Sequence, residues 1–222
     1  MKHTLSRKYI VSRCLKTLVA LSCLLFQSAQ AQTQAAQYLA ELLQKTVTFK
    51  ASVQQLVLDQ EGREVQETQA LLKLKKPDHF YWEITSPYAE LMVTNGELIY
   101  RFEPDLEQVT IQPFENDLDR NPMLMLNGDA RLLDTTYSIS HNTLDYNNRD
   151  RFILIPKQSS SLYESLSLTF YQDFLEEMQF ESSLGQSTSF YFSDLVMNHT
   201  ISDADFEFEV PDNIEIIDMT EE

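Results

Sequence analysis

The sequence predicts an α+β protein, in which one antiparallel β-sheet has helices packed on one of its sides. Residues 32–46 carry apolar side chains at helical spacing, whereas later segments alternate apolar and polar residues in short runs separated by turns. Such runs pair with their neighbours in an antiparallel sheet, and helices then cover its apolar face. No repeat, low-complexity tract or linker divides the chain, so we expect a single domain over residues 32–222.

The first 31 residues are predicted to be a cleaved secretory signal peptide. A basic start without acidic residues precedes an apolar run at 18–26 that is too short to span a bilayer. The A-Q-A stretch that ends at Ala31 then matches the small-x-small cleavage pattern. One alternative stays open, because the A-L-S-C stretch that ends at Cys23 loosely resembles the lipidation site of bacterial lipoproteins.

Cleavage after Ala31 changes the charge and the cysteine content of the chain. It removes five basic residues and no acidic ones, so the formal net charge goes from −17 to −22. A surface this negative repels nucleic acid and anionic lipid headgroups, which argues against both as partners. Cys14 and Cys23 also leave, so the mature chain has no disulfide, no thiolate nucleophile and no cysteine metal ligand.

The strands follow the helix in order along the chain. Alternation from Val47 to Val53 predicts the first strand, and the Asn95-Gly96 pair predicts a two-residue hairpin turn. Pro122 at a first turn predicts a short helix that continues to Leu126. Further strands are predicted at 65–74, 80–84, 91–94, 98–102, 137–140, 152–155, 166–170, 178–180, 190–197 and 206–210.

The apolar faces of these strands are rich in aromatic side chains. Phe, Tyr and Trp make up 22 of the 191 residues after position 31, and stripes such as 98, 100, 102 and 166, 168, 170 share one face each. One helix of about fifteen residues cannot comfortably cover so much inward apolar surface. The pattern indicates either an ordinary core or a ligand cavity or partner surface, and it does not decide between them.

The residues offer no catalytic, cofactor or metal site. Four glycines are too few for a phosphate-binding loop, and no G-x-S-x-G motif occurs. The histidines after residue 31, His79, His141 and His199, lack the spacing of metal ligands. Adjacent acids such as Glu176 and Glu177 point to opposite faces of a strand, which does not suit a shared acid–base site. We therefore expect a non-enzymatic protein without a cofactor or a metal.

Several short motifs follow one another in a fixed order along the chain. They are F-K-A-S-V-Q-Q at 49–55, D-x-x-G at 59–62, V-Q-E at 65–67, K-K-P-D-H-F-Y-W at 75–82, N-G at 95–96, Y-R-F-E-P and E-Q-V-T within 100–110, and D-F-E-F-E-V-P at 205–211. Together they resemble the LolA family, periplasmic carriers that move lipoproteins to the outer membrane of Gram-negative bacteria. The resemblance is close over about a third of the chain and thin from Asn116 to Asn198.

The resemblance implies an incomplete, half-open antiparallel β-barrel that is closed by a helical lid over an apolar cavity. It implies a periplasmic monomer that takes the acyl chains of lipoproteins from the inner-membrane ABC transporter LolCDE and passes them to the outer-membrane receptor LolB. The alternative is an outer-membrane acceptor of the LolB kind, or a lipid-sensing domain with the same fold. A lipidated Cys23 would favour the acceptor, and a free Gln32 the carrier.

Strand parity within this fold predicts the residues that line the cavity or its lid, although an error of one register would turn a whole strand to the other face. They are Leu43, Phe49, Val53, Trp82, Met92, Tyr100, Phe102, Met123, Leu126 and Phe206. The resemblance places Phe80 near the mouth, where carrier and transporter meet. It places Lys76 where the family has an arginine that clasps the lid, and Lys keeps the charge but loses the planar fork, so we expect a weaker clasp.

Overall fold

The computed structural model describes residues 34–115, 125–126, 129–144, 148–158 and 161–220. Two α-helices in these ranges are α1 (34–44) and α2 (Ala130–Thr136). The strands are β1 (Thr48–Leu58), β2 (Glu64–Lys75), β3 (His79–Ser86), β4 (Glu90–Thr94), β5 (Leu98–Glu103), β6 (Gln108–Pro113), β7 (Tyr137–Leu144), β8 (Arg149–Pro156), β9 (Tyr163–Tyr171), β10 (Phe174–Ser182), β11 (Ser187–Met197) and β12 (Glu215–Asp218).

These strands form one open sheet in the order β12-β6-β5-β4-β3-β2-β1-β11-β10-β9-β8-β7. Neighbours are antiparallel, except that β12 lies parallel to β6. The outermost strands, β7 and β12, are not joined to each other by any ladder within the described ranges. The expected antiparallel sheet that does not close into a barrel is therefore confirmed.

Helix α1 packs against one face of this sheet, which we call the inner face. Ala36, Leu39, Ala40 and Leu43 are all buried, and their spacing of three and four residues puts them on one side of the helix. Tyr38 contacts Phe152 of β8, so the helix reaches across the sheet from β8 towards β2. No helix in the described part of the chain is long and apolar enough to cross a bilayer.

The inner face of β8 to β10 forms the largest part of the hydrophobic core, which we call the covered floor. Ladder pairing places Phe152, Leu168 and Met178 side by side across three strands, and none of the three is exposed. Burial of each such side chain is worth about 1.5–3 kcal/mol. The remaining members of the covered floor are Leu154, Leu166, Phe170, Leu175 and Phe180.

The segment between β11 and β12 crosses the opposite, outer face of the sheet. Phe206 is fully buried, with its ring edge-on to that of His79 at 5.2 Å between centroids. The ring centroid of Phe208 lies 5.7 Å from the ring centroids of both Tyr100 and Phe102. The side chain of Lys73 reaches Asp205, with 2.6 Å between Nζ and Oδ1, and fixes the segment to β2.

The prediction of a strand at 206–210 is wrong. Asp203–Phe206 is a 3-10 turn, and residues 207–210 pair with no strand. The aromatic alternation there reflects packing on the outer face rather than a ladder. Strands β6 and β12, in contrast, were not predicted, although Val109 and Ile111 alternate with polar residues in β6; β12 has only four residues.

Some predicted elements lie outside the described residues. They include the signal peptide at 1–31 and most of the short helix that begins at Pro122. Of that helix, Met125 and Leu126 are described, and both are buried in the hydrophobic core.

Candidate functional site

The inner face carries an open cavity of about 470 Å³ over strands β3 to β6. Its walls are mostly apolar, with amide side chains and a single carboxylate among the lining residues. They are Gln55, Phe80, Trp82, Met92, Ile99, Gln112, Pro113, Glu115, Phe190 and Met219.

The hairpins from β3 to β5 put the apolar wall on one face. Trp82 pairs with Met92 across β3 and β4, and residues directly opposite each other in a ladder share a face. Thr94 of β4 pairs with Phe80 of β3 on one side and with Ile99 of β5 on the other, which extends the wall to β5. The ring of Trp82 lies edge-on to Phe190 at 5.9 Å and joins the wall to β11.

The inner face is filled where α1 lies on it. A hollow of only about 30 Å³ remains there, roughly the volume of one water molecule. Its apolar lining comes from the last turn of α1 and the strands beneath. The lining residues are Leu42, Leu43, Thr46, Phe49, Leu74, Lys76, Leu126, Phe170, Asp173, Leu175 and Met197.

Lys76 forms a direct bond to the end of α1. Its Nζ donates to the main-chain carbonyl of Leu43 at 2.6 Å. Carbonyls in the last turn of a helix lack an intrahelical partner and carry the negative end of the helix dipole, so an ammonium group there is favourable. Burial of the side chain lowers the pKa of Lys76 to about 8.

The structure separates the predicted cavity residues into groups. Trp82 and Met92 line the open cavity, and Phe80, which was predicted near its mouth, lies in the same wall. Leu43, Phe49 and Leu126 line the small hollow beside α1 instead. Val53 is buried on the inner face within the core, and Met123 lies outside the described residues.

The placement of Tyr100, Phe102 and Phe206 in the cavity is wrong. Tyr100 and Phe102 point to the outer face, where they pack on Phe208, and Phe206 is buried on that face too. The hairpin register explains the error: Met92 pairs with Arg101, whereas Tyr100 pairs with Val93. Placing Met92 inward therefore places Tyr100 outward.

Several lining residues were not predicted. The Asn95-Gly96 turn fixes the register of β4 and β5, so it contained enough information to find Ile99 from Met92. Nothing in the local pattern identified Gln55, Phe190 or Met219 as neighbours of this wall. Met219, the residue after β12, reaches the wall because its main-chain amide donates to the carbonyl of Ile111 at 2.8 Å.

The lining of the cavity suits an apolar ligand. Of the described residues that line the cavity, Glu115 alone has an ionisable side chain. Among the described residues, no group of three or more His, Cys, Asp or Glu side chains is placed to hold a metal ion. An unclosed sheet with an apolar hollow and a polar margin defines a binding protein for an apolar ligand.

Known proteins narrow this class to one family. Residues 44–209 match the family described as outer membrane lipoprotein carrier protein LolA. The chain is 37% identical over 190 residues to the outer-membrane lipoprotein carrier protein of Chromohalobacter salexigens, across 86% of this chain and 90% of that one. It is 35% identical over 200 residues to the same protein of Hahella chejuensis, across 90% of this chain and 96% of that one. This chain belongs to the LolA family.

A solved structure shares the fold. The chain resembles an uncharacterized conserved protein from Thermus thermophilus with a TM-score of 0.54 and 12% sequence identity. The match covers 82% of this chain and 98% of that chain.

Proposed function

We propose that this chain is a periplasmic lipoprotein carrier, which shields the acyl chains of lipoproteins on their way to the outer membrane. The observation that carries the proposal is the cavity of about 470 Å³, whose walls Phe80, Trp82 and Met92 form on an unclosed sheet. Membership of the LolA family, a family of transport chaperones rather than enzymes, supports it. The chain then acts by binding and release, without catalysis.

The size of the cavity fits one acyl chain. With a methylene taken as similar in size to a water molecule, about 30 Å³, a chain of about sixteen carbons fills roughly 480 Å³. Each buried methylene is worth about 0.8 kcal/mol, so withdrawing such a chain from water is worth up to roughly 13 kcal/mol. A carrier that removes this cost keeps a lipoprotein in solution between two membranes.

Helix α1 is the lid in this proposal, and Lys76 is its clasp. The bond from Lys76 to Leu43 joins the turn after β2 to the end of the helix, so breaking it removes one of the contacts that hold the helix on the sheet. A lid that opens at modest cost suits a carrier, because the cargo must leave again. The half-buried Phe80 stands in the cavity wall, where an incoming protein that delivers the cargo can contact it.

The partners follow from this role. The chain acts as a monomer, receives lipoproteins from the inner-membrane transporter LolCDE and delivers them to the receptor LolB. A cleaved signal peptide over 1–31 directs it to the periplasm and leaves one carrier domain over 32–222. Mass spectrometry of the intact mature protein tests the last point: the expected chain begins at an unmodified Gln32, and a lipidated Cys23 contradicts it.

Co-purification tests the function itself. The full chain, expressed in a Gram-negative host, is expected to purify with bound triacylated lipoprotein and to take up a fluorescent fatty-acid probe afterwards. Met92→Asp places a charge in the apolar wall, which is unfavourable, so we expect at least tenfold weaker probe binding. Leu91→Asp, one residue away on the outer face, is the matched control and keeps the affinity. A wild-type chain that takes up neither lipoprotein nor probe overturns the proposal.

A further inference from the structure

A polar cluster under the first half of α1 ties the helix to the edge of the sheet away from Lys76. The Tyr38 hydroxyl donates to Asp150 Oδ2 at 3.0 Å, and Asp150 Oδ1 lies 2.6 Å from His141 Nε2. The Thr143 hydroxyl also donates to Asp150 Oδ1, at 3.3 Å. Asp150 thus links α1 to both β7 and β8.

The cluster sits among aromatic rings that withdraw it from water. The ring of Tyr38 lies 5.1 Å from that of His141 and 5.4 Å from that of Phe152. His141 stacks on Phe152 at 4.8 Å. The side chains of His141 and Asp150 are only 27% and 22% exposed, so their bonds are less screened than those of a surface pair.

The ionisation states at neutral pH suit the bond from Tyr38 to Asp150. Burial alone would raise the pKa of Asp150, but the hydrogen bonds from His141 and Tyr38 outweigh it and hold that pKa below its usual range. Burial, with the bond to Asp150 and repulsion from Asp150 and Asp173, raises the pKa of Tyr38. Tyr38 therefore stays a donor and Asp150 an ionised acceptor. Asp173 itself pairs with the exposed Lys45 at 2.6 Å.

Two of the polar contacts between α1 and the sheet thus lie on opposite sides of the covered floor. Lys76 bonds Leu43 at the end of α1, and Asp150 bonds Tyr38 in its first half. The open cavity has room for about one acyl chain, and the hollow beside α1, of about 30 Å³, has room for none. A lipoprotein with two or three chains therefore needs the apolar surface that α1 covers.

We propose that Tyr38, Asp150 and His141 form a second clasp, which positions α1 over the covered floor and must release before a second acyl chain enters. This rests on the proposed carrier function. The three are positioning residues, since they act through the helix rather than on the cargo. The first chain enters the open cavity without disturbing them, so the clasp controls the number of chains and not the first contact.

Two probes separate these steps. A pyrene-labelled palmitate has one chain, and a fluorescent diacylglyceryl-cysteine peptide has two. Tyr38→Phe removes one hydroxyl and keeps the ring, so a hydrogen bond to a charged group is lost. In stopped-flow mixing we therefore expect about tenfold faster association of the two-chain probe and an unchanged association rate for palmitate. We expect Asp150→Asn to change the two rates in the same direction. In the double variant the two effects on the rate do not add, because both act on the bond between Tyr38 and Asp150.

Controls keep the outcomes distinct. Tyr191→Phe, on the outer face of β11, leaves both rates unchanged, and circular dichroism verifies that each variant is folded. Wild-type rates for the two-chain probe in both Tyr38→Phe and Asp150→Asn overturn the second clasp, as does an equal acceleration of both probes. Failure of the wild-type chain to bind either probe overturns the carrier function instead.

Discussion

Beneath α1 the inner face of the sheet is packed shut, whereas over β3 to β6 the same face lines an open cavity. Both halves use the same kinds of side chain. Leu168 and Met178 under the helix have no exposed surface, while Phe80 and Met92 beside the cavity are half-buried. The two halves therefore differ in whether helix α1 covers them, and not in the kinds of side chain that they contain.

This division assigns stability and binding to different places. Burial beneath α1 stabilises the fold, because the side chains there have lost nearly all contact with water. The open half of the inner face leaves apolar surface uncovered, where a ligand can bind. The polar bonds of Lys76 and Asp150 hold the last turn and the first half of the helix that marks the boundary.

The covered floor is expected to tolerate truncation poorly. Leu168→Ala removes a fully buried side chain and leaves a cavity, so it should lower the free energy of unfolding by about 2–5 kcal/mol in urea titrations. Leu184→Ala, at a position that is 73% exposed in the turn after β10, is the control and should change it little. A small effect of Leu168→Ala would mean that the covered floor is not the source of stability.

Lys76 makes the free energy of unfolding depend on pH in the alkaline range. Its pKa is lowered to about 8 in the folded protein, whereas an unfolded lysine keeps its proton up to about 10.5. The unfolded chain therefore binds more protons between these values, and this residue's contribution to stability rises with pH through that window. Below pH 8 the cost of the buried charge is fully present.

The comparison with Lys76→Met isolates this contribution. After allowance for partial solvent exposure, we expect the wild-type protein to gain about 1–2 kcal/mol relative to the variant between about pH 7.5 and 10. Urea unfolding of both proteins at several pH values measures it, and other titrating groups cancel in the difference. Parallel pH profiles would contradict the burial of this charge.

The identity of the clasp residue gives the smallest expected effect. Lys76→Arg restores a planar, permanently charged group with more donors, so it should hold α1 more firmly and slow association of the two-chain probe about threefold. Lys50→Arg, at an exposed position on the outer face of β1, serves as the control. An unchanged rate and affinity would mean that Lys76 forms as good a clasp as arginine.

Much of the sheet was predictable because alternation and turn residues act locally. β1 to β5 and β7 to β11 overlap the predicted strands, and Asn95 and Gly96 lie between β4 and β5 as expected. The predicted two-residue turn is wrong, because residues 95–97 connect the two strands and Thr94 pairs with Ile99. At Gly96, φ is +93° and an added Cβ would lie 2.9 Å from the Cβ of Asp78, so a glycine is required there. The order of the strands required no long-range information where they form consecutive hairpins.

The faces of the strands were harder to predict than the strands themselves. The aromatic stripe of Tyr100 and Phe102 looked more suitable for a cavity than Ile99 with its neighbour Arg101. The outer face has its own apolar partner, Phe208, which arrives from more than a hundred residues further along the chain. No local pattern shows that a second apolar layer exists there.

The sequence by itself determined the antiparallel sheet, the N-terminal helix and the family, because periodicity, turn residues and ordered motifs are local properties. The tertiary structure decided which apolar faces became core and which became cavity, since that depends on what covers each face. Lys76 illustrates the difference. Its position in a motif suggested a clasp, but its 2.6 Å bond to Leu43, and the second attachment of α1 through Asp150, exist only once distant strands lie side by side.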